Sequence, residues 1–348
     1  MLAYSETGSA RPHRSRRLLT AAAVVAAASV ALTACAEKDT TLRTPDGQVI
    51  STVTSRIAEA NIVSAGRDFA ETCLAPTAPD PGRTDVSRVI VTDPALLDAV
   101  CALGIGPKVR AVTAPDGSIP EYLGPELAAV PTIGDRPSRE QVAQAAPQLV
   151  LATPDTAGDV TGLRESGALG SARVATVSTD SDWRTTFTEV AAALQRSDAA
   201  AERLAEFDAE ATRVGRVMDA PHSQVSLVRF TARAELLEGT GSFGASILAQ
   251  VGAQRPAAQR GAEPVIVTEE NFRDADGDLI YVSGEGDEGM QRGIDVLESD
   301  SWQEMGAPSW QRVMWVDDTV WYRTSGLAAA WLVLNDLKNS LNSSSAGG

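Results

Sequence analysis

Two α/β lobes joined by one long helix is the architecture this sequence predicts, and three observations carry the prediction. Between residues 88 and 179, short β-branched runs alternate with helical stretches, the pattern of parallel β-α units. From 182 to 218 the apolar residues recur at helical spacing and no strand interrupts them. After Pro221 the alternation resumes and runs to a final helix.

The chain begins with a leader. Arg11, Arg14, Arg16 and Arg17 precede the apolar segment "LLTAAAVVAAASVAL", which has the layout of an export signal. At about 15 residues it is shorter than the roughly 20 of a bilayer span. It ends in "LTAC" at 32–35, similar to the lipobox of bacterial lipoproteins. That likeness implies that 1–34 is a signal peptide and that Cys35 is diacylated as the first mature residue. Each buried methylene contributes about 0.8 kcal/mol, so more than one acyl chain anchors stably without a spanning helix. Residues 35–60 are polar and turn-rich and read as a tether.

The first lobe is expected over 61–181. "RVIVTD" reads as a strand and "PALLDAVCALG" as a helix with Pro94 at its start and Gly104 at its end. "KVRAVTA" is a second strand, "SREQVAQAAPQLVLAT" a helix and strand, and "SARVATVST" a further strand. In the linking segment, 182–219, Phe187, Val190 and Leu194 share one face, as do Leu204, Phe207, Val214 and Met218, with a break possible at Ser197-Asp198. The second lobe, 220–341, supplies "SQVSLVRF" as a strand, "GSFGASILAQVGAQRP" as a loop and helix, and "EENFRDADGDLIYVSG" as a helix and strand. "SWQEMGAPSWQRVMWVD" follows as a short helix and edge strand, then "GLAAAWLVLNDLKNSL" as a helix, with 342–348 a frayed tail. Both lobes are thus Rossmann-like, with ligands expected at the carboxyl ends of the strands.

Composition removes several function classes. The formal net charge of the 348 residues is -16. Loss of 1–34, with four arginines and one glutamate, takes it to -19. Nucleic acid is therefore not an expected partner, because binding it depends on basic residues that neutralise phosphates. The two histidines are His13 in the leader and His222 beside Pro221, which leaves no inventory for His-rich metal sites or Ser-His-Asp relays. "GTGSFG" lacks the lysine and threonine of a phosphate loop and reads as a turn before a helix. No catalytic residues and no protein-bound metal are expected, and the chain is not read as an enzyme. Cys73 and Cys101 remain once Cys35 is assigned. Outside the cytoplasmic membrane such a pair is usually bridged, the alternative being two separate buried thiols.

One register appears in both lobes. Ser138 and Thr268 each stand two positions before a glutamate, Glu140 or Glu270. Each glutamate is ten residues ahead of a strand residue, Val150 or Ile280. A hydroxyl cap and an acidic first turn account for each glutamate separately, though not for their equal placement.

Taken in order, "VIVTDPALLDAVCALGI", "PTIGDRPSREQVAQAAPQLVLAT", "VSLVRF", "GTGSFGASILAQVGAQRP", "DGDLIYVS" and "WQEMGAPSWQRVMWVDDTVWYRTSGLAAAWLVLNDL" cover most of 86–340. This series resembles the periplasmic-binding-protein family that serves ABC importers of iron-siderophores, haem and cobalamin, whose two lobes sit on a rigid backbone helix. The resemblance implies a monomeric, lipid-anchored protein on the extracytoplasmic face of the cell membrane that delivers cargo to an ABC permease dimer. It also implies that Glu140 and Glu270 dock on arginines of that permease.

Loops after strands then line the cleft. In the first lobe these include Asp135 and Arg136, with Trp183 at the hinge side; in the second they include Arg229, Phe230 and Arg233, then Trp321, Tyr322 and Arg323. Guanidinium groups there suit the oxygen-rich surface of a ferric siderophore and ring faces suit its aromatic groups. The iron arrives inside the chelator, so no cofactor of the protein's own is expected. Haem is the alternative cargo, with Tyr322 the one well-placed iron ligand. A non-transport envelope scaffold on the same fold is a further alternative. For Arg229 the competing expectation is a salt bridge to Glu235 or to an acidic loop. For Trp302 and Trp315 it is core packing.

Overall fold

A computed structural model describes residues 55–344, with side chains described through Ser340. The leader, Cys35 and the tether through residue 54 lie outside the described residues, as does 345–348.

The first lobe holds four parallel strands, β3 (Val89–Val91), β4 (Val109–Val112), β5 (Leu149–Ala152) and β6 (Arg173–Thr176), in the order β4-β3-β5-β6. Two strands precede them in the chain, β1 (Arg56–Ile57) and β2 (Ala60–Ile62). These belong to the other sheet, where β2 runs parallel to β11 (Val313–Trp315). The boundary expected at 60/61 is therefore not where the first lobe starts. The chain enters through the second lobe and leaves it after Ile62. The second sheet continues with β7 (Val225–Phe230), β8 (Glu235–Leu237), β9 (Val265–Ile266) and β10 (Leu279–Gly284), in the order β1-β2-β11-β10-β7-β8-β9. β7, β10 and β11 are parallel, whereas β8 and β9 add an antiparallel edge. Both edge strands are too short to stand out as periodic runs in the sequence.

Alternation along the strands divides the core into layers. Ile90 and Val150 face outward in the first lobe onto Val142 and Val160, while Val89, Val91, Leu149 and Leu151 face inward. In the second lobe Val228, Phe230, Ile280, Val282 and Trp315 pack on Leu297 and Trp302. Val225, Leu227, Tyr281 and Met314 face the opposite way and join the first lobe's inner layer in one continuous cluster. The lobes share this apolar layer, which includes Phe187, Phe207, Val214 and Leu334.

The segment expected as one linking helix is two helices, Trp183–Ala193 and Ser197–Val217. The break precedes the expected position. Gln195 takes φ 58, and the carboxylate of Asp80 receives the amides of Ser197 and Asp198 at 3.0 Å each, satisfying orphan donors of the second helix. That helix reaches from the first lobe, where Arg203 bonds Ala75 O at 3.0 Å, to the second. There Gly215 lies so close to Phe243–Val251 that a Cβ would overlap Val251 O. Cys73 and Cys101 form a disulfide with Cα atoms 4.5 Å apart, fastening the entering segment to the helix Leu97–Ala102. The final helix, Leu327–Ser344, runs past the expected end at 341.

Candidate functional site

The chain leaving β11 does not turn directly into the final helix. Asp317 and Asp318 lead into a π-helical turn, Thr319–Arg323, a form that often accompanies functional positions. This turn stands opposite the first lobe's 3₁₀ turn Glu121–Leu123 and the start of Trp183–Ala193. Between them lie two adjoining cavities of about 300 and 370 Å³. Trp183 and Tyr322 line the first and Phe69 and Asp317 the second, while Tyr122 and Arg323 line both. Each falls within the lower part of the range of about 300–1000 Å³ for small-molecule sites.

Trp183 is set by local structure. Asp182 caps its helix by accepting from Arg184 N at 3.0 Å and Thr185 N at 3.2 Å. The indole is half-buried, sits edge-on to Phe207 at 5.7 Å, and carries the Arg184 guanidinium over its face at 4.5 Å. Tyr322 is held from behind. The Arg229 guanidinium lies 5.2 Å from its ring centre, and its buried hydroxyl has no hydrogen-bond partner among the described residues. Burial and then the nearby Glu238 push its pKa up. Arg323 is exposed at the junction of the two cavities, which leaves its guanidinium available to an incoming group.

Arg229 is committed elsewhere. Nε donates to Asp318 Oδ1 at 2.7 Å, and Nη2 donates to Asp318 Oδ2 at 3.0 Å and to Glu285 Oε1 at 3.2 Å. The bond to Asp318 outweighs desolvation and raises its pKa. The salt-bridge alternative thus describes it, with Asp318 and Glu285 as partners instead of Glu235. Behind Tyr322, Arg255 donates to Glu238 O at 2.7 Å. Burial pushes its pKa down to about 10 and raises that of the Glu238 carboxyl.

Two expected cleft residues are core residues. Phe230 is 0% exposed between Trp302 and Trp315 because its position in β7 points away from the lobe interface. Trp321 is likewise 0% exposed, with Nε1 donating to Asp336 Oδ2 at 2.9 Å; it anchors the turn that presents its two successors. Trp302 and Trp315 are core residues too. Asp135 and Arg136 are exposed ahead of the helix Arg139–Ala145, and Arg233 is exposed between β7 and β8. None of the three lines either cavity. Tyr122 and Asp98 were not anticipated. For Asp98 the signal was a lone carboxylate in the otherwise apolar run "PALLDAVCALG".

The two glutamates differ in setting. Glu140 is exposed in the first turn of Arg139–Ala145, whose cap Ser138 accepts from Gln141 N at 3.2 Å while Gln141 Oε1 accepts from Ser138 N at 2.8 Å. Glu270 is also exposed, yet it occupies a turn ahead of the 3₁₀ turn Phe272–Ala275 and no α-helix starts there. Its amide donates to Thr268 Oγ1 at 3.3 Å. Near it a shallow concavity of about 1040 Å³ is bordered by Glu235, Glu269, Glu288 and Asp295 with Arg292. Burial pushes Glu235 up to about 7. This larger hollow is acidic and open, whereas the interlobe cavities are smaller and share the exposed Arg323. Among the described residues, no three His, Cys, Asp or Glu side chains gather as a metal-binding group.

Residues 89–318 match the family model described as periplasmic binding protein. Over 271 residues the chain is 27% identical to the probable siderophore-binding lipoprotein YfiY of Bacillus subtilis (strain 168), covering 72% of this chain and 81% of that protein. Among solved structures, unliganded, reductively methylated FhuD2 from Staphylococcus aureus superposes with a TM-score of 0.60 at 18% identity, over 74% of this chain and 99% of that one. Staphylococcus aureus SirA complexed with staphyloferrin B gives 0.57 at 20% identity, over 75% and 94%. The periplasmic heme-binding protein BhuT with two hemes gives 0.51 at 24% identity, over 74% and 98%. These likenesses establish the two-lobed fold.

Proposed function

The chain belongs to the periplasmic binding protein family, and from that premise we propose that it is the substrate-binding component of an ABC importer, capturing a ferric siderophore in the interlobe groove. The observation that carries the reading is exposed Arg323 at the junction of two cavities, the first of which is also lined by the half-buried rings of Trp183 and Tyr322. A ferric siderophore presents chelating oxygens and often net negative charge at its surface. Arginine can meet such oxygens in bidentate fashion, and indole and phenol faces cover the apolar remainder. The iron enters already coordinated, so the groove recognises the chelator and supplies no ligand to the metal. The name of the Bacillus subtilis relative and the siderophore complex of SirA support this cargo class. The relative's lipoprotein name also supports diacylation of Cys35 and a place on the extracytoplasmic face of the membrane. Glu140 and Glu270 are proposed to contact the permease.

Titration of the purified protein with ferric hydroxamate, catecholate and carboxylate chelators tests the cargo, read by tryptophan fluorescence. Quenching by at least one, weakened about 10- to 100-fold in Arg323→Ala, is expected. Neither quenching nor calorimetric heat across all three classes would reject the reading. Haem is the second reading, favoured by the unpartnered Tyr322 hydroxyl and the likeness to BhuT. The raised pKa of that phenol opposes phenolate ligation of iron, and an absorbance titration with haemin separates the two cargoes.

A further inference from the structure

We propose that Asp98 is a positioning residue that sets how the two walls of the groove face each other, by holding from the first lobe the start of the helix that continues the second-lobe wall. This rests on reading the groove as the cargo site. Asp98 is 2% exposed within Leu97–Ala102. Its Oδ1 accepts from Ala328 N and its Oδ2 from Ala329 N, both at 2.9 Å. Tyr122 donates its hydroxyl to Oδ2 at 3.0 Å. A carboxylate from one lobe therefore satisfies orphan amides at the N-terminus of an 18-residue helix of the other. The same carboxylate is bonded to Tyr122, which lines the groove from the first lobe. Arg323 is only five residues ahead of the first of these amides, so a single side chain is tied to both walls.

The backbone is shaped around this contact. Gly326, between Arg323 and the bonded amides, has φ +152, and a Cβ there would overlap the Asp98 carboxyl. The turn is fixed from its other side by Asp336, which accepts from Trp321 Nε1 at 2.9 Å and Ser64 Oγ at 2.7 Å and pairs with Arg67. The wall is thus held by two buried carboxylates, of which Asp98 lies on the first-lobe helix.

Protonation would loosen that attachment, because a neutral acid cannot accept from two amides and a phenol as a carboxylate does. Burial pushes Asp98 up to about 6, against the lowering effect of the Ala329 and Ala328 amides and Tyr122. Several other charged groups stand on the elements packed around it. Asp93 caps the turn Pro94–Leu96, and Glu121 neighbours Tyr122. Arg184 and Glu189 lie on Trp183–Ala193, where Arg184 is engaged with Asp208. Arg323 precedes the final helix, and Asp336 and Lys338 lie on it, Lys338 paired with Glu210. The folded-state pKa exceeds the roughly 3.9 of an unfolded aspartate. Its contribution to global stability is therefore full below about pH 4 and is lost as the pH rises through 6. While the carboxyl stays buried, loss of the amide bonds raises its pKa further, so acidification favours the loosened latch although it does not unfold the protein through this group.

The test pairs wild type with Asp98→Asn, which mimics the protonated acid, using a ferric trihydroxamate, whose complex persists from pH 5 to 7.5. Wild-type affinity is expected to fall about tenfold from pH 7.5 to 5, and Asp98→Asn at pH 7.5 to match wild type at pH 5 with no further decline. A variant with wild-type affinity and pH profile overturns the proposal. Amide exchange on the cargo-free protein separates this outcome from failure of the cargo reading. Amides 327–330 should exchange about tenfold faster in Asp98→Asn at pH 7.5, a difference that vanishes at pH 5. Equal exchange at both values overturns the latch even if no chelator binds. Should the variant not fold, wild type alone suffices: protection of 327–330 relative to 331–337 must drop between pH 7.5 and 5, and constant relative protection rejects the idea.

Discussion

The two walls of the groove are built in opposite ways. On the first-lobe side, Trp183 owes its position to Asp182, one residue away, and to packing on Phe207. On the second-lobe side, Tyr322 and Arg323 ride on a turn braced by residues distant in sequence, with Arg229 reaching Asp318 across 89 positions and Glu285 across 56. The first wall is a local product of a capped helix. The second exists only when three strands and the final helix are in place. A guanidinium count made along the chain therefore overstates the positive charge offered to cargo, because Arg229 is neutralised by the carboxylates that position it.

The sharpest way to break this contrast is Gly326→Ala. It introduces both an unfavourable φ and an overlap with the Asp98 carboxyl, and should cost more than about 4 kcal/mol in urea unfolding. A loss below about 1 kcal/mol would mean that the second wall is not rigidly tied to the first lobe. Next in size is Asp318→Ala. The Arg229 side chain is only 16% exposed, and stripping its main partner should cost about 3–5 kcal/mol. Arg229→Met combined with Asp318→Leu should recover most of that loss, since the penalty comes from a buried charge left with the half-exposed Glu285 as its remaining ion-pair partner. A double variant as unstable as the single one would assign the pair a different role. The smallest effect on the fold is expected from Glu140→Arg with Glu270→Arg. Both side chains are exposed, so stability should stay within about 0.5 kcal/mol while recovery of the permease in a pull-down is lost. Undiminished recovery would remove these residues from the docking surface.

Much of the fold could be read from sequence because parallel β-α units announce themselves locally. β3, β4, β5, β7 and β10 coincide with β-branched runs, and Ser242 and Ser138 mark helix starts as hydroxyl caps do. β1, β2, β8 and β9 were not legible, since none carries three β-branched residues in a row as β3 does and their pairing partners define them. The groove was legible in part. Tyr322 and Arg323, which follow a strand, and Trp183, at the start of a helix, all line it, whereas Phe230 and Trp321 turn inward because alternation and the π-helical turn decide which neighbour faces the core. Asp98 escaped notice for a related reason: its role is to bond a helix 230 residues away.

The early strand pair has a consequence for the order in which the protein is made. β2 pairs with β11 across some 250 positions, so the second sheet cannot be completed until nearly the whole chain has been synthesised. The four strands of the first lobe are contiguous in sequence and can pair with one another long before β11 is made. The opening strands must then wait, unpaired, for a partner that arrives last, which makes this closure a late, high-contact-order step of folding.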